Sequence, residues 1–142
     1  TYDYRLLLET NAVKLLITRA SLEAIDGLAR KVERSLEAMA KSPKDRKVRV
    51  AALDADYQFH KDLIDFQKNE IISKHYSLNA ARLRLCRASL GEPLQRLEMA
   101  AKEHLEILDA CRARDADLAV TLLSEHVQIS REHTLGIRPM PI

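Results

Sequence analysis

Glycine, tryptophan and strand-like alternation are almost missing from this sequence. Its 142 residues include only 3 glycines and no tryptophan, and apolar residues alternate with polar ones only in isolated runs of about five residues, such as 2–6 and 81–85, and not in a series of strands. A half-buried β-strand needs that alternation. Phosphate-binding loops and dinucleotide-binding folds need closely spaced glycines, which this chain does not have. These absences exclude a β-fold and the common nucleotide-binding classes.

Cysteine, long apolar runs and an excess of charge are also scarce. The two cysteines, Cys86 and Cys111, form no CxxC pair, which favours reduced thiols in a cytosolic protein. No apolar run approaches the ~18–20 residues of a membrane span, and the first residues lack a signal-peptide pattern. The formal net charge is +2, with basic and acidic residues interleaved, so the chain alone has no predicted affinity for nucleic acid. We therefore expect a cytoplasmic protein.

Apolar residues instead recur at intervals of three and four along the chain, which is the period of an amphipathic helix. Ser21 is a predicted N-cap, Gly91 is a predicted helix stop, and Gly136 with the prolines after it ends the last helix. The predicted helices cover roughly residues 3–19, 22–39, 46–67, 69–90, 94–113 and 117–135. We predict a single all-α domain over residues 1–142, an antiparallel bundle of six to seven helices.

Four polar residues lie on the apolar stripes of these helices. Asp56 and His60 are four residues apart, so both project from one face of the third helix. His104 and His126 each lie eleven residues from Asp115, the centre of the turn between the last two helices, so antiparallel packing places them at one height. Three imidazoles and a carboxylate suit Zn²⁺, the expected ion, or Ni²⁺, Fe²⁺ or Mn²⁺. The alternative is a buried polar network without a metal.

Arg82 is a candidate ligand-binding residue because it interrupts the aliphatic stripe of the fourth helix, which is taken as the inner face of that helix and consists of Ile71, His75, Leu78, Arg82 and Leu85. Its planar guanidinium could donate two parallel hydrogen bonds to a carboxylate beside a metal. The alternative is a surface salt bridge or a side chain that reaches water. Arg84 and Arg87 lie off this stripe and are expected to be solvated. His75 and His133 lie on the same stripes as Arg82 and His126. Antiparallel packing about a turn, which places His104 beside His126, does not place either of them beside another candidate metal ligand.

Enzyme signatures are not evident in the chain. It contains no HExxH motif, no Glu-x-x-His pair of the di-iron kind and no GxSxG nucleophile elbow. A metal held by histidines could still activate water, so a metal-dependent hydrolase or lyase remains the alternative function. A general base or proton shuttle beside the histidines is not apparent. A metal sensor and a purely structural helical domain are weaker alternatives.

Several motifs resemble those of the FCD domain, the effector-binding half of FadR-subfamily GntR transcriptional regulators. Residues 56–63, followed by Asn69, are similar to the family's D-x-x-F-H-x-x-L…N signature. Residues 103–110 resemble its E-H-x-x-I-L-x-A segment, and residues 125–126 resemble its final x-H. Residues 5–9 are similar to the R-x-x-L-E with which such domains open.

The resemblance implies a metal held by Asp56, His60, His104 and His126 inside a homodimeric, non-enzymatic regulator. It also implies that a small carboxylate effector binds at the metal pocket. The resemblance does not identify the arginine that contacts the effector, so the candidate Arg82 follows only from its position on the stripe of the fourth helix. A winged helix-turn-helix DNA-binding domain is expected N-terminal to this segment, so contact with DNA would occur only through that domain. The leading hypothesis is therefore a ligand-sensing module without catalytic residues.

Overall fold

Six α-helices make up the described part of the chain. The structure is a computed structural model, and it describes residues 2–134, with residues 89, 90 and 134 described by their backbone only. The helices are α1 (Tyr2–Arg19), α2 (Leu22–Lys41), α3 (Arg46–Asp65), α4 (Glu70–Leu90), α5 (Leu94–Arg112) and α6 (Ala116–Thr134). Residues 2–134 contain no strand, so the all-α prediction is confirmed. The predicted stop at Gly136 and the proline-containing tail lie outside the described residues.

Polar caps and one glycine set the helix boundaries. Side-chain oxygens of Ser21, Asp45 and Asn69 accept hydrogen bonds from first-turn backbone N–H groups of α2, α3 and α4. Such caps satisfy donors that the helix itself cannot pair, and each contributes about 1 kcal/mol. Gly91 ends α4 in the left-handed conformation, with φ of 70°, which glycine adopts without steric cost. The predicted roles of Ser21 and Gly91 are confirmed.

The third helix lies at the centre of the bundle. It packs against α1, α2, α4 and α5, while α6 packs against α1 and α5. The three-residue connection 113–115 joins α5 to α6, so these two packed helices run antiparallel. Fully buried side chains from five helices form one core: Val13, Leu16, Ile25, Met39, Leu63, Ile64, Ile107, Leu108 and Leu123. A polar side chain on the inner face of α3 therefore lies in the protein interior. Within residues 2–134, no helix has the length and apolar character to cross a membrane.

The predicted inner face of α4 is wrong. The stripe chosen from the sequence is exposed: Ile71, His75, Leu78, Arg82 and Leu85. The exposed fractions of its aliphatic residues are 72% for Ile71, 60% for Leu78 and 70% for Leu85. The inner face is a second stripe of the same period: Tyr76, Ala80, Leu83 and Arg87. Since α4 packs mainly on α3, its more aliphatic side is left uncovered in the single chain.

The two cysteines are unpaired, as predicted. Cys86 is exposed on α4, whereas Cys111 is buried on α5. Burial raises the pKa of the Cys111 thiol to about 11, because an apolar environment disfavours the thiolate. Cys111 therefore acts as a small apolar core residue of α5.

Candidate metal centre

The structure brings the four predicted polar residues together in the interior. One donor atom from each of Asp56, His60, His104 and His126 lies within 4.8 Å of every other, and all four residues are buried. The Nε2 atom of His126 lies 3.1 Å from Nε2 of His60 and 3.1 Å from Nε2 of His104. The Nε2 atom of His104 is 3.4 Å from Oδ1 of Asp56. Three helices thus direct three ring nitrogens and one carboxylate oxygen at a common point.

Two glutamates fix which ring nitrogens carry hydrogen. Nδ1 of His60 contacts Oε1 of Glu9, and Nδ1 of His126 lies 2.7 Å from Oε1 of Glu103. An ionised carboxylate can only accept hydrogen bonds, so both Nδ1 atoms carry the proton. The Nε2 lone pairs of His60 and His126 then face each other at 3.1 Å. Two lone pairs at this separation repel, and a cation between them removes the repulsion.

Protonation of His60 or His104 does not fill this role at neutral pH. Burial lowers the pKa of His60 to about 4, even though Glu9 opposes the shift. Burial and the neighbouring His126 likewise hold the pKa of His104 well below its usual value. Both rings are therefore neutral near pH 7, which is the form that binds a metal.

One oxygen of Asp56 is also without a partner. Oδ2 of Asp56 accepts a hydrogen bond from Nη1 of Arg87 at 2.6 Å, but the buried Oδ1 has no hydrogen-bond partner. Burial tends to raise the pKa of Asp56, yet Arg87 and His104 outweigh it and hold the pKa well below normal. The side chain is therefore ionised. A buried anionic oxygen needs a partner, and Oδ1 faces the three histidines.

The spacing of these donors fits a divalent ion. Bonds of about 2.0–2.1 Å place neighbouring ligand atoms about 2.8–3.0 Å apart in an octahedral arrangement and about 3.3–3.4 Å apart in a tetrahedral one. Three of the six donor separations within the cluster are 3.1, 3.1 and 3.4 Å, and all six are within 4.8 Å. Three imidazoles with one carboxylate suit Zn²⁺, Ni²⁺, Fe²⁺ or Mn²⁺. When bound, such an ion supplies a Lewis acid that can hold an oxygen of an anionic ligand.

A cavity rich in arginine adjoins the cluster. Asp56 and His60 form its inner wall, and Arg5, Arg84 and Arg87 lie around it. The space between these side chains is about 30 Å³, enough for one or two water molecules. An organic acid can therefore enter only if the walls supplied by α1 and α4 move apart.

Arg87, rather than Arg82, occupies the position beside the cluster. Arg82 is exposed and is not among the residues that line this cavity. The prediction that Arg87 is solvated is wrong: its side chain is 15% exposed and binds Asp56 and Glu92. Arg84 also lines the cavity, and it pairs with Asp54 at the surface. The two arginines were assigned to solvent because the outer stripe of α4 was taken as its inner face.

Sequence reasoning also missed the two supporting glutamates. Glu9 lies on α1 at helical spacing from the apolar residues Leu6, Val13 and Leu16. A glutamate on an apolar stripe was therefore the feature of the sequence that could have indicated a buried charge. Its exposed fraction is 0%. Burial alone raises the pKa of Glu9, but Arg5 and His60 lower it to about 2. The glutamate is thus an ionised part of the interior.

Comparison with known families agrees with this geometry. The family model described as the FCD domain matches residues 1–129. None of the curated proteins matches the sequence. The matched segment includes all four residues of the buried cluster and the glutamates behind them. FCD domains are regulatory ligand-binding domains of GntR-type regulators, and they act together with a DNA-binding domain. This chain belongs to the FCD domain family.

Proposed function

We propose that this chain is the effector-sensing domain of a cytoplasmic transcriptional regulator. A divalent metal ion, zinc in the first instance, is held by Asp56, His60, His104 and His126. A small carboxylate binds between this ion and the neighbouring arginines. The observation that carries the proposal is the convergence of the partnerless Asp56 Oδ1 with the ring nitrogens beside an arginine-lined cavity. DNA would be contacted only by a winged helix-turn-helix domain N-terminal to this segment.

The charge balance of the centre favours an anionic ligand. Its ion-paired network contains four carboxylates and three guanidinium groups: Glu9, Asp56, Glu92 and Glu103 with Arg5, Arg87 and Arg96. With neutral imidazoles the network carries one net negative charge, and a divalent ion changes this to one net positive charge. An unbalanced charge in a buried site is costly. One carboxylate from a ligand neutralises it.

The hydrolase or lyase alternative has less support. The carboxylates nearest the ring nitrogens, Glu9, Asp56 and Glu103, all have pKa values lowered against the effect of burial by arginines and histidines. Efficient general bases have a pKa near the working pH. Carboxylates with lowered pKa values are stable hydrogen-bond acceptors and metal ligands instead, which suits a receptor.

Ligand entry provides a physical basis for a response. The free space of about 30 Å³ beside the centre requires α1 or α4 to move before an organic acid fits. The described contacts of α4 are mainly with α3, so α4 is the less restrained of the two walls. A ligand shifts the equilibrium between arrangements of the bundle by its difference in affinity for them. We propose that outward displacement of α4 is the change that the acid stabilises.

The first test is a thermal-shift screen of mono-, di- and tricarboxylates against metal-loaded and metal-stripped protein. At an acid concentration 100 times Kd, the expected stabilisation is about 2.7 kcal/mol, or on the order of 10 °C in Tm. We expect this shift only in the metal-loaded form, because the ion supplies the uncompensated positive charge.

Two controls accompany the screen. Metal content is measured after each incubation, since some acids remove metals from proteins. The acid is followed by NMR, and its concentration should stay constant. Consumption of the acid would favour the enzyme alternative. An equal shift in metal-stripped protein would contradict a role of the ion in ligand binding.

We further propose that the exposed stripe of α4 joins two copies of the chain. Ile71, Leu78 and Leu85 are spaced by seven residues, and each is at least 60% exposed. A two-fold axis through Leu78 sets Ile71 of one copy against Leu85 of the other, so the stripe is complementary to itself. Exposed aliphatic residues in a continuous row mark interaction surfaces. A homodimer through α4 would also place the subunit contact directly behind the wall of the cavity.

The dimer surface is tested with Leu78→Glu. Two buried leucines are lost at the axis and two carboxylates face each other, so the dimer Kd should rise by at least about 100-fold. Sedimentation analysis over a range of concentrations measures the change. Leu118→Glu, at an exposed position on α6, is the matched control and should leave the dimer intact. A wild-type chain that is monomeric at all concentrations would contradict the proposal.

A further inference from the structure

The buried side chain of Glu9 on α1 makes several polar contacts, which apolar packing of the helix alone does not explain. Its side chain is fully buried, and both carboxylate oxygens are used. Oε1 contacts Nδ1 of His60. Oε2 accepts hydrogen bonds from Nε of Arg5 at 2.5 Å and from the hydroxyl of Tyr76 at 3.0 Å. Burying an ionised carboxylate is favourable only when its partners compensate fully, and these three partners come from α1, α3 and α4.

The contact with His60 has a definite chemical effect. Because the Glu9 carboxylate accepts a hydrogen bond from Nδ1–H of His60, the Nε2 atom of His60 keeps its lone pair, which is directed at Nε2 of His126, 3.1 Å away. A carboxylate behind a histidine ligand fixes the tautomer, fixes the ring orientation and makes the ring a stronger donor to a metal. Glu9 is the group that supplies this effect to His60.

The centre contains a matched counterpart on its other side. Glu103 of α5 contacts Nδ1 of His126 at 2.7 Å and pairs with the buried Arg96. Neither Glu103 nor Arg96 is among the residues lining the arginine-rich cavity, whereas Arg5 and Tyr76, which hold Glu9, both line it. The two glutamates therefore serve the histidines alike but connect them to different parts of the bundle.

We propose that Glu9 is a positioning residue of the metal centre, through which the occupancy of the centre acts on α1. This inference rests on the proposed function, since it assumes that His60 is a metal ligand. The direct polar link from the four-residue cluster to α1 runs through the contact between His60 and Glu9. An ion on Nε2 of His60 fixes the ring, the ring fixes Glu9, and Glu9 fixes its turn of α1.

The test compares Glu9→Gln with Glu103→Gln, using zinc as the probe. Glutamine keeps the shape of the side chain, but its amide can also donate to Nδ1, so it no longer enforces one tautomer. Glu37→Gln, at an exposed position of α2, removes the same charge from a residue outside the ion-paired network of the centre. Long-range ¹H–¹⁵N NMR of zinc-free protein reports the tautomer of His60, chelator competition reports zinc affinity, and amide hydrogen exchange reports the protection of α1.

Glu9→Gln should give a mixture of His60 tautomers and weaken zinc binding on the order of 10–100-fold. At saturating zinc it should also abolish the slowing of α1 amide exchange that zinc causes in the wild type. Glu103→Gln should weaken zinc binding to a similar extent but leave the His60 tautomer and the α1 response intact. Glu37→Gln should behave as the wild type in all three measurements.

A Glu9→Gln variant with the affinity and α1 response of Glu37→Gln would overturn the proposal. If Glu9→Gln does not fold, Tyr76→Phe replaces it: losing one hydrogen bond to Glu9 should weaken zinc binding a few-fold and reduce the α1 response. A Tyr76→Phe variant identical to the wild type would then overturn it. A wild-type protein that binds no zinc would remove the proposed function, whereas the tautomer of His60 in zinc-free protein tests the Glu9 contact independently.

Discussion

Replacing His104 by alanine is expected to weaken metal binding by about 100-fold. Structural zinc sites with four ligands bind with about 10–16 kcal/mol, so each ligand contributes on the order of 3 kcal/mol, or about 100-fold in affinity. His104 is buried, and its Nε2 atom faces both His126 and Asp56, so the substitution removes a donor from the middle of the cluster. Elemental analysis of purified protein measures the loss, and chelator competition measures the change in affinity.

His75→Ala is the matched control for this experiment. His75 is exposed on α4, so the substitution removes one imidazole without changing the cluster. His104→Ala also removes the ring that stacks on Phe59 at 3.9 Å between centroids, and circular dichroism establishes that the helices remain. Equal metal affinity in the two variants would show that His104 is not a ligand of the ion.

The cluster was predictable because local geometry determines it. A four-residue spacing places Asp56 and His60 on one helix face whatever surrounds them. The connection 113–115 makes α5 and α6 antiparallel neighbours, so residues at similar distances from it, such as His104 and His126, meet at one level. In both cases short-range rules were sufficient, and the fold added only the packing of α3 against α5.

The inner face of α4 could not be predicted in the same way. The helix carries two stripes of three- and four-residue period, one through Leu78 and one through Ala80. Aliphatic content favours the first, but α4 packs against α3 with the second, which lines the cavity beside the charged centre. Arg87 is placed by its ion pair with Asp56, 31 residues away in sequence. Periodicity holds no information about a partner so distant along the chain.

The same reason explains why Glu9 was missed. A glutamate on an apolar stripe is unfavourable unless a charged partner meets it, and two of its partners, His60 and Tyr76, lie on other helices. Helical spacing predicts which face of a helix is buried, but not which faces pack against each other. Ion pairs buried between helices that are distant in sequence therefore cannot be predicted from spacing.

Replacing Arg87 by methionine is expected to remove most of the affinity for the acid while the metal is retained. The Arg87 guanidinium is 15% exposed and lines the cavity, so a ligand carboxylate there would compete with Asp56 and Glu92 for its hydrogen bonds. A hydrogen bond to a charged group contributes about 1.5–3 kcal/mol, so Kd should rise by roughly 10–150-fold. Calorimetric titration with the acid that gives the largest thermal shift measures this change, with metal content determined on the same sample.

Arg82→Met decides between the two arginines of α4. Arg82 is exposed on the opposite side of the helix from the cavity wall, so its loss should leave Kd within about twofold of the wild type, the small change typical of a solvated surface charge. Arg87→Lys should fall between the wild type and Arg87→Met, because lysine keeps the charge but cannot hold a carboxylate in two places. A larger loss for Arg82→Met than for Arg87→Met would return the ligand to the outer face of α4. That face is also the proposed dimer contact, so the acid would then bind between subunits and its affinity would fall in Leu78→Glu as well.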